Sequence, residues 1–201
     1  MKISLIDYGA GNLPSVERAL RRLSAETERI TAAEPLRQAA AIVLPGVGHY
    51  AAVVRALDDQ GLRGPLGERI AAGVPFLGIC LGLQALYETS DEAPGLAGLG
   101  ILPGKVAELP HNVKLPHMGW NQVRPLRETR LFRGIPESEF FYFAHSFAAT
   151  EVSPAAAATC EHGAEFVAAV EQGNLFGVQF HPEKSATAGA KILKNFLEVA
   201  R

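Results

Sequence analysis

The stretch Val74-Pro-Phe-Leu-Gly-Ile-Cys-Leu-Gly-Leu-Gln-Ala-Leu-Tyr87 changes hydrophobic period in its middle, and that change constrains the fold more than any other feature of the chain. Val74, Phe76, Leu77 and Ile79 form an apolar run suited to a buried strand, whereas Leu81, Gln84, Ala85 and Glu88 recur at helical spacing. Cys80 stands at the junction, so the pattern predicts a thiol on a strand-to-helix corner. Gly78 and Gly82 flank it and remove side chains where a sharp turn crowds neighbouring backbone, which is the logic of a nucleophile elbow with sulfur in place of oxygen. Free amides at the start of a helix favour a thiolate over a thiol. The same amides, above all that of Leu81, are placed to hydrogen-bond an oxyanion formed by attack on a carbonyl. A buried structural cysteine in a glycine-rich turn is the other reading of Gly-x-Cys-x-Gly, and the rest of the chain has to decide between them.

Upstream, Ile3 to Ile6 read as a short strand ending at Asp7, followed by the loop Tyr8-Gly-Ala-Gly-Asn-Leu-Pro14. Pro14 suits the first turn of a helix whose apolar stripe is Val16, Ala19, Leu20 and Leu23. The Gly9-x-Gly11 pair lacks the third glycine of a dinucleotide fingerprint, so a nucleotide site is not expected there. Ala41 to Leu44 form the next strand and run into Pro45-Gly-Val-Gly48. Glycines at the carboxyl end of a parallel strand are where such folds bring backbone to a ligand. Gly46, Val47 and Gly48 are therefore candidates to complete an oxyanion hole with Leu81, against the simpler reading of a tight turn. Helical pattern follows through Val53, Val54 and Leu57, then Leu66 and Ile70.

Beyond the cysteine the texture changes. Gly95 to Gly100 read as loop, and Ile101–Leu109, His117–Val123, Phe140–Phe147, Ala155–Glu161, Ala164–Val170 and Leu175–Phe180 read as strands. A last helix is expected over about 188–199. Alternating strand and helix followed by mostly strand predicts an α/β fold. It has a mostly parallel central sheet, helices on both faces, and antiparallel strands added in the C-terminal half. No repeat, linker or composition break divides the chain, so a single domain over residues 1–201 is expected.

Charge narrows the function. Lysine and arginine number 19 against 21 acids with no basic run, which gives no electrostatic case for nucleic acid. No stretch of about 20 apolar residues and no leader-like pattern appear, so a cytoplasmic protein without a membrane partner is expected. Cys160, in Ala155-Ala-Ala-Ala-Thr-Cys-Glu161, reads as a small buried hydrophobe. His49, His111, His117, His145 and His162 show no paired ligand spacing, and Cys80 has no cysteine neighbour, so neither a metal nor another cofactor is expected.

Phe180-His-Pro-Glu183 supplies what a thiol nucleophile needs. His181 follows an apolar strand, is stiffened by Pro182, and has a carboxylate two places on. An imidazole can take the thiol proton and return it to a leaving group, and Glu183 can orient the ring and stabilise its cation. Alone, the two would read as a surface ion pair or polar loop. Beside the Cys80 elbow they form a candidate triad.

Together Gly78-Ile-Cys-Leu-Gly-Leu-Gln84, Pro45-Gly-Val-Gly48 and His181-Pro-Glu183 resemble the class I, triad-type glutamine amidotransferases, in matching order along nearly the whole chain. Asp7-Tyr-Gly-Ala-Gly-Asn12, Lys114-Leu-Pro-His-Met-Gly-Trp-Asn121, Tyr142-Phe-Ala-His-Ser-Phe147 and Gln179-Phe-His-Pro-Glu-Lys-Ser185 are similar, more narrowly, to the glutaminase subunits of imidazole glycerol phosphate synthase. The resemblance implies that Cys80 attacks the side-chain amide of glutamine, giving a γ-glutamyl thioester and ammonia, with His181 moving protons and Glu183 holding it. It implies that Gln84 lies along the bound glutamine, that Glu92 meets its amino group, and that Ser146 and Phe147 offer backbone to its carboxylate. Glu92 also fits a merely solvated charged segment. The implied partner is a (β/α)₈-barrel cyclase subunit in a heterodimer, which receives the ammonia and makes imidazole glycerol phosphate and aminoimidazole carboxamide ribonucleotide. Asn12, Trp120, Tyr142 and Lys184 match positions near the subunit contact. Core packing is the other reading of the two aromatics, and solvation that of the lysine.

The chain departs from the family pattern at His49 and Tyr50, and His49 is expected to perturb the oxyanion loop. The resemblance also suggests a peptide near Gly46 or Val47 that is turned away from the site in the isolated chain. Three other readings stand beside this one. An amidotransferase subunit of another pathway is opposed by His117-Met-Gly-Trp-Asn121. A thiol peptidase or stress protein usually carries histidine next to the nucleophile, where this chain has Leu81. A binding scaffold without catalysis would leave the filled triad positions unexplained.

Overall fold

The computed structural model describes residues 2–9 and 12–201; Ala10 and Gly11 of the first glycine loop lie outside the described residues. The chain begins with β1 (Lys2–Ile6), α1 (Leu13–Arg22), β2 (Glu26–Ile30), α2 (Ala33–Arg37), β3 (Ile42–Gly46), α3 (Tyr50–Asp59), α4 (Arg63–Ala71), β4 (Phe76–Cys80) and α5 (Leu81–Gln84). It continues mostly as strand, through β5 (Tyr87–Ser90), β6 (Leu102–Glu108), β7 (His117–Pro125), β8 (Glu139–His145), β9 (Phe147–Ala149), β10 (Ala156–Glu161), β11 (Glu165–Gln172) and β12 (Leu175–Val178). A 3₁₀ turn at Pro182–Lys184 leads into α6 (Ala186–Val199).

A nine-stranded sheet runs in the order β2-β1-β3-β4-β12-β11-β10-β7-β8. Its first five strands are parallel, and the antiparallel pairings start at β11. That matches the α/β architecture read from the sequence. Period-two alternation sends Ile3, Leu5, Val43, Leu77 and Ile79 to one face, where they pack with α1 and α6 through Val16, Leu20, Ile192, Leu193 and Phe196. Ile6, Ile42, Leu44 and Phe76 point to the other face, against Val53, Val54, Leu57 and Leu66 of α3 and α4. Strands covered on both faces have no polar side to show, which is why β3 and β4 read as unbroken apolar runs.

Several expectations need correction. The helix after Cys80 ends at Gln84, and Glu88 sits on β5 instead. The returning segment takes the carbonyls that a longer helix would use: Leu99 N–H donates to Ala85 O, and the amides of Ile101 and Leu102 donate to Leu86 O. β6 does not join the central sheet; it lies in a separate three-stranded sheet, β5-β6-β9. Phe140–Phe147 is not one strand. The chain leaves the large sheet at Ser146, and β9 pairs antiparallel with β6. β2 and α2 carry no apolar period, since Glu26-Thr-Glu-Arg-Ile30 is a sheet edge with only Ile30 buried. Among the described residues no helix is long and apolar enough to cross a membrane.

Candidate active site

The parallel sheet brings four strand ends together. β4 lies between β3 and β12, with Gly46 opposite Cys80 on one side and Val178 opposite Ile79 on the other. Loops leaving the carboxyl ends of β1, β3, β4 and β12 therefore meet over one end of the sheet, the usual place for ligands in such folds.

Cys80 adopts φ 54° and ψ −108°, a backbone conformation that L-residues rarely take, and its side chain is buried. Strain of this kind costs on the order of 1–3 kcal/mol and persists only when the surroundings enforce it. Here they do. A Cβ on Gly82 would fall 1.9 Å from the Leu44 carbonyl oxygen, and one on Gly78 would fall 2.5 Å from the Gly82 oxygen. A Cβ on Gly46 would meet the Leu81 Cβ at 2.5 Å, so glycine is required on three sides of the bend. Leu81 occupies the first helical position, where an N–H has no partner within its own helix.

His181 follows β12 and is pinned by backbone. Its N–H donates to the Tyr142 carbonyl at 2.8 Å, and its own carbonyl accepts from Ser185 Oγ at 2.7 Å, while Ser185 Oγ accepts from the Tyr142 N–H at 2.9 Å. Nδ1 faces Glu183 Oε1 at 3.0 Å, and the ring and Cys80 share the wall of one cavity. Burial alone would lower the imidazole pKa, but the Cys80 and Glu183 contacts outweigh it and raise it to about 10, so the ring rests as the cation. Burial would likewise raise the Glu183 carboxyl; hydrogen bonds from His181 and Asn12 hold it below the ordinary carboxylate range. Asn12 Nδ2 donates to Glu183 Oε1 at 3.0 Å, which makes it part of the site's interior.

A cavity of about 430 Å³ opens onto Cys80 and His181. Its wall includes Val47, Gly48, Leu81, Gln84, Glu92, Ser146 and Phe147, together with Asn12 and Lys184. Gly46, Trp120 and Tyr142 do not line the cavity. Glu92 is not a free surface acid, because Oε2 accepts from the Tyr50 N–H at 2.7 Å at the start of α3. The Phe147 carbonyl is consumed inside the protein by Gln84 Nε2 at 2.7 Å and His145 Nδ1 at 2.9 Å. The Val47 N–H donates to Tyr8 Oη at 3.3 Å, and burial pushes the Tyr8 hydroxyl up to about 12, so it stays neutral. His49 does not enter the cavity: it is exposed and caps α3, with Nδ1 accepting from the Ala51 N–H at 3.1 Å.

At the mouth, Lys184 Nζ sits over the Tyr142 ring at 5.4 Å, and Tyr142 meets Trp120 edge-on at 6.2 Å. Trp120 is 53% exposed, and Met118 and Phe140 are exposed beside it, so core packing does not account for this hairpin. Cys160 is buried, as expected, and burial pushes its thiol up to about 12. Among the described residues no group of three or more His, Cys, Asp or Glu side chains is gathered to hold a metal. A wider hollow of about 740 Å³ lined by residues from Pro125 to Glu137 and by Glu171 contains none of the groups around Cys80. Sequence reasoning missed Tyr8 and Gln179, whose Nε2 donates to Cys80 Sγ at 3.5 Å. The run Gln179-Phe-His181 held the signal for the latter, since alternation on an extended chain points residues 179 and 181 the same way.

Comparison with known proteins agrees with this geometry. The glutamine amidotransferase class-I family matches residues 4–200. The imidazole glycerol phosphate synthase subunit HisH of Moorella thermoacetica is 48% identical over 200 residues, 99% of this chain and 95% of the relative. HisH subunits of Methanothermobacter thermautotrophicus and Xylella fastidiosa are 44% and 46% identical, with 98% or more of each chain covered. In three dimensions the chain is similar to a crystal structure of glutamine amidotransferase (TM-score 0.78, 20% identity, 98% of both chains) and to PurLQS from Thermotoga maritima (TM-score 0.78, 19% identity, 100% of this chain and 99% of that one). The chain belongs to the class-I glutamine amidotransferases and, within them, to the family of HisH subunits of imidazole glycerol phosphate synthase.

Proposed function

We propose that this chain is the glutaminase subunit of an imidazole glycerol phosphate synthase in histidine biosynthesis, acting as one amidotransferase domain over residues 1–201. The observation that carries the reading is the buried thiol of Cys80 on its strained bend, sharing one cavity with an imidazole that Cys80 and Glu183 together hold cationic. The Cys80 sulfur, as thiolate, attacks the side-chain amide carbon of glutamine. The oxyanion takes hydrogen bonds from the Leu81 amide and from the Gly46–Gly48 loop. His181 gives its proton to the leaving nitrogen, the C–N bond breaks, and ammonia leaves a γ-glutamyl thioester. With the sulfur's negative charge gone, the imidazole loses part of what held its proton, which eases this transfer. Neutral His181 then takes a proton from water, whose oxygen attacks the thioester and releases glutamate. Gln84, Glu92 and the Ser146–Phe147 backbone line the cavity on the side where the amino acid's own ammonium and carboxylate would rest.

The Val47 amide is engaged by Tyr8. That supports a resting state in which one oxyanion donor is withheld, a loss worth about 10² to 10³ in rate. The partner is a (β/α)₈-barrel cyclase that binds over the mouth of the cavity, against Trp120, Tyr142 and Lys184, with Asn12 just inside. Contact there reaches the base by a short path, since the backbone of Tyr142 holds His181 while its ring carries Lys184 and Trp120. Ammonia passes to the cyclase without entering bulk water. Two free, buried cysteines fit the reducing cytoplasm in which such a subunit works. The test is ammonia release from glutamine by the chain alone and with the barrel subunit and its nucleotide ligand. The reading expects a low rate alone and strong stimulation by the complex; no stimulation would remove the pathway assignment.

A further inference from the structure

Cys80 has a neighbour that the nucleophile and base do not explain. Gln179 is fully buried, and its Nε2 lies 3.5 Å from Cys80 Sγ. A neutral thiol is a weak acceptor, whereas a thiolate accepts strongly from an N–H.

The groups behind Gln179 fix which end of its amide faces the sulfur. The Phe147 carbonyl can only accept, so His145 Nδ1, 2.9 Å away, carries a hydrogen. Burial holds His145 neutral, with a pKa down at about 3, which leaves its Nε2 bare to accept from His117 Nδ1 at 3.0 Å. His117, lowered by burial to about 4, is neutral too; its Nε2 accepts from Asn121 Nδ2 at 3.1 Å, and that nitrogen also donates to Glu161 O at 2.9 Å. On the other side, Gln84 Nε2 donates to Phe147 O at 2.7 Å, which sets the orientation of that amide. The same nitrogen lies 3.0 Å from Gln179, so the atom it meets is the oxygen. The nitrogen of Gln179 must then point at the sulfur. Its backbone placement agrees, because Phe180 turns the opposite way, onto Phe141 at 4.1 Å, while residues 179 and 181 share the side facing Cys80.

We propose that Gln179 is a further catalytic residue: its amide N–H stabilises the Cys80 thiolate before attack and again as the sulfur leaves the thioester, and its aim is set by the Phe147 carbonyl acting through Gln84. The proposal rests on Cys80 being the nucleophile of the proposed function. Two variants separate a donor from a space-filler. Gln179→Met keeps length and apolar bulk but has no N–H. Gln179→Glu keeps an oxygen for Gln84 and replaces the donor with a second acceptor.

The readout is iodoacetamide alkylation near neutral pH, resolved at Cys80 and Cys160 by peptide mass spectrometry, on the full chain alone and with the barrel subunit. Glutaminase kcat and KM are measured on the complex. A hydrogen bond to a charged group sets the expected loss at about 10- to 100-fold in Cys80 alkylation and in kcat, with KM for glutamine within about twofold and Cys160 unreactive. Wild-type alkylation of Cys80 in Gln179→Met overturns the proposal. If Cys160 becomes reactive in that variant, Gln179→Glu decides, and wild-type reactivity there overturns it equally. A wild-type complex that releases no ammonia, while Cys80 still responds to Gln179 as expected, would remove the glutaminase reading and with it the catalytic role, leaving only the hydrogen bond from Gln179 to the Cys80 sulfur.

Discussion

A Cβ on Gly82 would press to 1.9 Å from a backbone oxygen beside Cys80, and one on Gly189 to 1.9 Å from the Pro182 oxygen after His181, but His181 is held in addition by hydrogen bonds. Its N–H donates to Tyr142, its carbonyl accepts from Ser185 and its ring pairs with Glu183. Cys80, the proposed nucleophile, is set by close-packed backbone of β3, β4 and α5, in the middle of a sheet covered on both faces. His181, the proposed base, is set largely by polar contacts with β8, Glu183 and Ser185, with Asn12 behind Glu183, near the exposed hairpin that carries Trp120. Packing of the first kind is stiff and has no easy second arrangement. Hydrogen bonds of the second kind can be adjusted from outside, so regulation by a partner belongs on the base side and on the Val47 loop.

The contrast predicts that rate and stability separate. Glu183→Gln should lower kcat of the complex by about 10³ to 10⁴, since the ring loses its cation partner, while the protein still folds with a lowered melting temperature because a buried pair is broken. A variant as active as wild type would show that His181 needs no orienting acid. On the opposite side, Gly82→Ala should destabilise the fold by about 3 kcal/mol or more, measured by denaturant titration, because a backbone carbonyl cannot yield to the added methyl. A well-folded Gly82→Ala protein would mean that the bend is looser than its contacts imply.

Tyr8→Phe tests the boundary between the two regions. Freeing the Val47 N–H should raise the glutaminase rate of the chain alone several-fold, up to about 10-fold, and leave the complex nearly unchanged. An unaltered rate without the partner would clear Tyr8 of any restraining role. The smallest effect is on stability against pH. Folding raises the proton affinity of His181 from the ordinary 6.5 to about 10, so its contribution is whole below about pH 6.5 and is lost as pH rises toward 10. The melting-temperature gap between wild type and His181→Asn should therefore narrow over that interval, and a gap that widened would contradict the assignment.

What could be read from the sequence follows the same division. Gly78, Gly82 and the change of period at Cys80 announce the elbow because steric demands act on residues close together in the chain. The parallel sheet was legible for the same reason, as β3 and β4 are buried on both faces. The arrest of α5 was not, since Leu99, Ile101 and Leu102 take the Ala85 and Leu86 carbonyls just past its end from more than ten residues away. β2 was hidden by its charged edge. Asn12 on Glu183 and Tyr8 on Val47 join residues far apart in sequence through single hydrogen bonds, which leave no local pattern. His49, which looked disruptive beside the oxyanion loop, caps a helix, a role visible only once the helix start is placed at Tyr50.

The most direct test of the account is to trap the acyl intermediate. The complex is mixed with glutamine, quenched in acid within the first turnovers, digested and weighed by mass spectrometry. The account predicts a γ-glutamyl group on the peptide carrying Cys80, accumulating further in His181→Asn if acylation outlasts the loss of the base. Ammonia release in the wild-type complex with no adduct on Cys80, or with undiminished turnover in Cys80→Ala, would contradict it.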